Sequence, residues 1–227
     1  MTVARLPARR RTGVPVRLAV AILLGAVVLG VGGGILLREG DGTSEAAAAP
    51  RASLPAFHGQ GSWKRGERPA PDFALHDQNG TLVSLRSLRG KPVLLTFLDS
   101  QCTTRCPIEG RQLGSVLRRL PAGDRPAIVV VSVDRAGDTP RGIRHALAKW
   151  HLTGHWTIHW LNAPSQARLA AVWRLYDIQV EPTSNDIVHS LALYLIDRRG
   201  DERTAYLFPF LQSFVQHDLA RLARERA

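Results

Sequence analysis

Two uninterrupted apolar runs, residues 92–98 (PVLLTFL) and 127–133 (AIVVVSV), constrain this chain more than any other feature. Neither alternates apolar with polar residues, so a strand built from either must be covered on both faces. Such strands belong inside a sheet that carries helices on each side. The intervening sequence supplies those helices. Residues 107–120 repeat apolar side chains at helical spacing through Ile108, Leu113, Val116, Leu117 and Leu120. Thr139-Pro140 reads as an N-cap followed by proline at the first helical position, opening a helix that reaches Trp150. A strand over 157–161 and a helix over 164–173 follow. Ahead of the first run, 73–75 and 81–85 flank Gln78-Asn79-Gly80, and Asn-Gly is a strong hairpin signal. Strands over 190–196 and 202–207 surround the turn Arg198-Arg199-Gly200, and an amphipathic helix covers 211–224. This order predicts the α/β class: an N-terminal hairpin, then a central mixed sheet flanked by helices.

The N-terminal part has a different character. Residues 1–17 hold five arginines and no acid, and 18–37 is a stretch of twenty residues without a charge. Twenty helical residues cross a hydrocarbon layer of roughly 30 Å. Positive charge on the leading flank keeps that end in the cytoplasm. The expectation is a cytoplasmic N-terminus (1–17), a single transmembrane helix (18–37), a flexible tether (38–70) and an extracytoplasmic domain (71–227). The Arg- and Ala-rich composition, without an organellar presequence, suits the plasma membrane of a bacterium. The rival reading is a cleaved signal peptide, with Ala46 to Ala49 as the cleavage region. The apolar run is longer than such a signal needs. The tether is rich in Ala, Gly, Pro and charge without periodicity, and its His58 and Trp63 carry no functional argument. The net charge of +11 implies no nucleic acid partner, because the basic residues beyond the N-terminus form no stripe interleaved with aromatics.

Only two cysteines exist, Cys102 and Cys106. A disulfide across three intervening residues closes a tiny loop and removes little chain entropy, so the pair is a poor staple and points to chemistry. It lies between the carboxyl end of a buried strand and the start of a helix, where open α/β sheets place ligands. Free amides and the positive end of the helix favour thiolate over thiol. Arg105 either adds to this or points to solvent. Redox thioredoxins space their cysteines by two residues; three give the sulfurs more freedom to approach one soft ion. Two thiolates suit Cu(I), with imidazole as an acceptable third ligand. Two thiolates and a histidine also hold Zn(II) with an open position, and spacing does not choose between them.

At this point the sequence resembles a known family. The run Thr96-Phe97-Leu98-Asp99-Ser100-Gln101-Cys102 to Cys106-Pro107 resembles the Sco/SenC cysteine motif. Val131-Ser132-Val133-Asp134 with Asp138-Thr139-Pro140 is similar to its SVDP-x-x-DTP segment, and Leu152-Thr153-Gly154 to its LTG step. Ile187-Val188-His189-Ser190, leading into Leu193-Tyr194-Leu195-Ile196-Asp197 and Gly200, is similar to its DHS-x-x-x-YLID-x-x-G run. The match spans 71–208. It implies a thioredoxin-like fold and copper, Cu(I) and also Cu(II), held by Cys102, Cys106 and His189. It also implies delivery of copper to the dinuclear site in the membrane-attached subunit of cytochrome c oxidase. Three positions depart from the pattern: Thr103 and Arg135 replace prolines, and Val188 replaces the acid beside the histidine, with Asp186 two positions earlier. That acid would orient the imidazole.

Eight histidines are present. His151, His155 and His159 recur every four residues, but Gly154 and the aromatic, β-branched run 156–160 argue against a helix that would gather them. Asp134 either supports the thiols or is a strand-end turn residue. The leading expectation is therefore a membrane-anchored copper metallochaperone, not an enzyme in the strict sense. The alternative is a thiol–disulfide oxidoreductase cycling Cys102 and Cys106 on extracytoplasmic protein thiols. A purely structural domain would leave the cysteine pair without a purpose.

Overall fold

The two apolar runs become adjacent parallel strands in the middle of a six-stranded sheet. The structure is a computed structural model that describes residues 57–184 and 186–225. In chain order the strands and helices are β1 (Gly61–Ser62), β2 (Ala74–His76), β3 (Leu82–Ser84), β4 (Val93–Leu98), α1 (Cys106–Arg119), β5 (Ala127–Ser132) and α2 (Pro140–Lys149). There follow β6 (Ile158–Leu161), α3 (Gln166–Leu175), β7 (Val180–Pro182), β8 (Ile187–His189), β9 (Ala192–Ile196), β10 (Glu202–Leu207) and α4 (Gln212–Arg224). The main sheet has the order β1-β10-β9-β4-β5-β6, parallel across β4-β5-β6 and antiparallel across the rest. The hairpins β2-β3 and β7-β8 stand apart from it. The expected mixed sheet flanked by helices, with a hairpin in front, is the observed arrangement.

Strand period 2 explains how both faces are filled. Leu94 and Leu98 of β4 and Ile128 and Val130 of β5 point to one face, where they meet Leu113 and Leu117 of α1, Ile143 of α2 and Leu219 of α4. Val93, Leu95 and Phe97, with Val129 and Val131, point to the other, against Leu169, Val172 and Trp173 of α3 and Leu75 and Val83 of the β2-β3 hairpin. Fully burying each such Leu, Val or Phe contributes roughly 1.5–3 kcal/mol, so the two runs anchor both layers at once. The helix starts follow their caps: the Thr139 hydroxyl accepts from the Gly142 N–H at 3.1 Å, and Ser165 does the same for Arg168.

Two expectations need correction. Residues 57–70 do not belong to a tether: Phe57 is buried beneath Arg203 and Arg221, and β1 pairs with β10. A two-residue strand offers no periodicity to read in advance. Ile108 is exposed, because the buried stripe of α1 runs through Cys106, Glu109, Leu113, Val116 and Leu117. The readings of 1–17, 18–37 and 38–56 fall outside the described residues. Among the described residues no helix is long and apolar enough to cross a membrane.

Glycine sets how closely α1 approaches the turn after α2. A Cβ at Gly114 would lie 2.4 Å from the His151 carbonyl oxygen, which is backbone and cannot swing aside. Gly114→Ala gains about 1 kcal/mol of helix propensity and forces the helix outward at a cost of about 1–3 kcal/mol. A net loss in urea denaturation is expected; a gain would mean that the contact yields freely.

Candidate functional site

Cys102 hangs from the carboxyl end of β4 in a loop pinned from behind. The Ser100 N–H donates to Asp138 Oδ1 at 2.7 Å, and the Gln101 N–H donates to Asp99 Oδ1 at 2.7 Å. Asp138 is held in turn by the Trp160 Nε1–H at 2.9 Å. α1 then opens at Cys106, with Pro107 in its first turn, where a missing N–H leaves no gap. Arg105 occupies the cap position but caps nothing, and its side chain is exposed. The Cys102 sulfur serves instead: Sγ accepts the Cys106 N–H at 3.4 Å and lies 3.6 Å from the Thr104 hydroxyl.

His189 reaches the same place from the far end of the chain. Its carrier, the β7-β8 hairpin, pairs Val180 with His189 and is closed by the Ser190 N–H donating to the Gln179 carbonyl at 3.0 Å. The imidazole Nε2 stands 3.6 Å from Cys106 Sγ. Nδ1 lies 3.0 Å from the Ser190 carbonyl, which can only accept, so Nδ1 carries the hydrogen and Nε2 presents its lone pair to the thiol. Burial lowers the His189 pKa, which keeps the ring neutral at neutral pH. The three side chains line an open cleft of about 280 Å³ together with Thr104, Arg105 and Asp186. Asp186 thus borders the cleft from its position two residues before Val188, which is largely exposed.

The two thiols differ. A hydrogen bond from Cys106, then the Cys106 and Thr104 donors, outweigh burial and bring Cys102 down to about 5. The same hydrogen bond, together with burial, pushes Cys106 upward. The reduced pair is a partly exposed thiolate and a buried thiol. Above a pH of about 5 Cys102 is the nucleophile. Its alkylation by iodoacetamide should therefore half-titrate near that pH and stay flat through the neutral range, with Cys106 unlabelled in mass spectra. A midpoint in the ordinary thiol range would refute the asymmetry.

Buried acids behind the cleft carried no signal of their own in the sequence. Burial pushes Asp99 up to about 7, with the charges of Asp138, Asp134 and Cys102 adding to it. Glu109, on the same face of α1 as Cys106, is also pushed up to about 7 by burial. The Thr96 hydroxyl lies 2.6 Å from Glu109 Oε1 and 3.1 Å from the Ala192 carbonyl. The Thr96 hydroxyl donates to Glu109, which offsets part of the upward push of burial.

Comparison with known proteins identifies the architecture. The family profile for SCO1/SenC matches residues 63–224. The chain belongs to the SCO1/SenC family. It is 27% identical over 145 residues to the SCO1 protein homolog of Bacillus subtilis, covering 59% of this chain and 75% of that protein. Among solved structures, Bradyrhizobium japonicum ScoI with copper bound superposes with a TM-score of 0.56 at 28% identity, over 68% of this chain and 99% of that one. BsSco, a member of the Sco family of cytochrome c oxidase assembly proteins in which a disulfide switch was identified, gives a TM-score of 0.61 at 21% identity, over 74% of this chain and 100% of that one. The fold is accordingly thioredoxin-like.

In this SCO1/SenC chain the cleft collects Cys102, Cys106 and His189, and the other histidines considered lie elsewhere. His151 ends the α2 turn at φ 56°, and His159 sits in β6 with Nδ1 2.9 Å from Asp77 Oδ2, bracing the β2-β3 turn. Asp134 accepts the N–H groups of Ala136 and Gly137, the behaviour of a strand-end turn residue.

Proposed function

We propose that the chain binds one copper ion through Cys102, Cys106 and His189, and acts as a membrane-anchored metallochaperone. Its recipient is the dinuclear copper site of cytochrome c oxidase during assembly. The carrying observation is the neutral Nε2 lone pair of His189 held 3.6 Å from Cys106 Sγ, beside the Cys102 thiolate. Two soft sulfurs and one imidazole suit Cu(I). The copper-bound ScoI relative and the oxidase-assembly role of the family of BsSco support the same reading. Cys102 is partly exposed and Cys106 is buried, so ligand exchange with a recipient begins at Cys102. The apolar stretch at 18–37 would hold the domain at the membrane that contains the recipient.

A second reading rests on the unequal thiols. In a thiol–disulfide oxidoreductase the Cys102 thiolate attacks a substrate disulfide, one substrate sulfur leaves, and Cys106 resolves the mixed disulfide. Titration of the reduced full-length chain with Cu(I) separates the two. One Cu(I) per chain, abolished by prior alkylation of the cysteines, supports the chaperone. No Cu(I) uptake together with turnover of a disulfide substrate would replace it with the oxidoreductase.

A further inference from the structure

A second cluster of donor atoms lies away from the thiol cleft, where the segment that carries Phe57 meets α4. Asp218 is fully buried, and its two carboxylate oxygens have different surroundings. Oδ2 accepts the His58 backbone N–H at 2.8 Å and the Tyr206 hydroxyl, both fixed parts of the fold. Oδ1 faces two imidazole nitrogens, Nδ1 of His58 at 2.7 Å and Nδ1 of His217 at 3.2 Å. One donor atom from each of the three side chains lies within 4.8 Å of the other two. The rings are orthogonal, with centroids 4.9 Å apart, and that of His58 stacks on Phe214 at 4.5 Å. Their side chains are 30% and 49% exposed, so the outer side of the cluster is open to water.

We infer that His58, His217 and Asp218 form a second metal site, for a divalent ion of the borderline class represented by Zn(II). Four-coordinate ions with bonds of about 2.0–2.1 Å hold neighbouring donors about 3.3 Å apart. The two nitrogen–oxygen separations, 2.7 and 3.2 Å, lie on the short side of that value, so loading asks the two surface rings to rotate and draw back slightly from the carboxylate. Two imidazoles and a carboxylate are the donors that Zn(II), Co(II), Ni(II) and Cu(II) accept, whereas Mg(II) and Ca(II) want an all-oxygen shell and Cu(I) wants sulfur. The cluster is thereby chemically distinct from the thiol cleft. Without an ion, each ring donates its Nδ1–H to Oδ1. On loading, each ring carries its hydrogen on Nε2 instead and offers the Nδ1 lone pair to the ion. Water fills the remaining position. Tyr206 and the His58 backbone keep their bonds to Oδ2 and hold the carboxylate in place. The ion would staple the start of the described domain to its last helix, joining residues 160 positions apart.

The test uses the full-length chain carrying Cys102→Ser and Cys106→Ser, so its result does not depend on the copper reading. Zn(II) titrated calorimetrically should bind once per chain, and Zn(II) should raise the thermal midpoint of that protein. His58→Ala and His217→Ala should each weaken binding by about tenfold or more and remove the thermal shift, while His155→Ala leaves both unchanged. Co(II) should give visible d–d bands of low-symmetry four-coordination without near-ultraviolet thiolate charge transfer. His217 is half-exposed, and its removal leaves the other bonds of Asp218 intact, so far-ultraviolet circular dichroism should match the parent. Absence of Zn(II) uptake at micromolar concentrations, or uptake indifferent to both histidine substitutions, overturns the site and leaves a hydrogen-bonded clasp.

Discussion

Replacing His189 with alanine should lower the affinity of the reduced chain for Cu(I) by about a hundredfold or more, while leaving thiol–disulfide exchange at Cys102 and Cys106 near its original rate. Loss of groups that merely support metal ligands costs about 10–100-fold, so loss of a ligand belongs at or beyond the upper end. The imidazole is prepared for this role by its surroundings: the Ser190 carbonyl fixes the hydrogen on Nδ1, and burial keeps the ring neutral. Because burial lowers its pKa below the usual value of 6.5, protons compete with copper for Nε2 only in more acidic solution. Copper retention should therefore persist through mildly acid pH before falling. His189 lies on a short, partly exposed hairpin, so the substitution should leave the core intact. Competition against a chromophoric Cu(I) chelator measures the affinity, and reduction of a small aromatic disulfide measures the exchange. Unchanged affinity with impaired exchange would instead make His189 a proton-transfer partner of Cys106.

The parts of this arrangement that could be read beforehand are those whose physics is local. The runs at 92–98 and 127–133 had to be doubly covered strands, since their side chains leave no polar face for water. Thr139-Pro140 and Asn79-Gly80 are backbone devices that act within a few residues, and both elements formed where they stand. The cysteine pair was legible for the same reason, as a strand-to-helix junction. His189 was legible only by resemblance. Its hairpin contains Pro182 and Asp186, shows no alternation, and is defined by pairing with Val180 across a turn. Buried acids are equally silent in a sequence. Glu109, Asp99 and Asp138 resemble surface carboxylates until burial and their partners are known. Ile108 shows the converse error, since a helical stripe read without its partners takes in a neighbour that faces water. The His58–Asp218 contact is the extreme case. Its members stand in a segment with no periodicity and in the final helix, and only the folded domain brings them together.

Trp160 shows how far the site depends on the core beneath it, and Trp160→Ala is expected to be the most damaging single change to stability among those considered. The ring is fully buried against Trp150, with centroids 5.8 Å apart. Truncating a buried aromatic to alanine costs about 3–5 kcal/mol. Stranding the buried Asp138 without the indole N–H adds about 1–3 kcal/mol. The total approaches the whole stability of many domains, and the thermal midpoint should fall by about 10–30 °C. Trp160→Phe helps to separate the two contributions, because it keeps most of the apolar volume while removing the N–H together with a small part of the ring. Burial already raises the pKa of Asp138, and loss of that donor raises it further. A protonated Asp138 holds the Ser100 N–H less firmly, and Ser100 begins the loop that presents Cys102. The phenylalanine variant should therefore stay folded, lose about 1–3 kcal/mol in denaturant titration, and alkylate at Cys102 with a displaced pH midpoint. A variant that loses stability but keeps the original midpoint would show that the Trp160–Asp138–Ser100 chain supports the fold alone. A shifted midpoint would show that the indole, although it never touches the cleft, sets the reactivity of the exposed thiol.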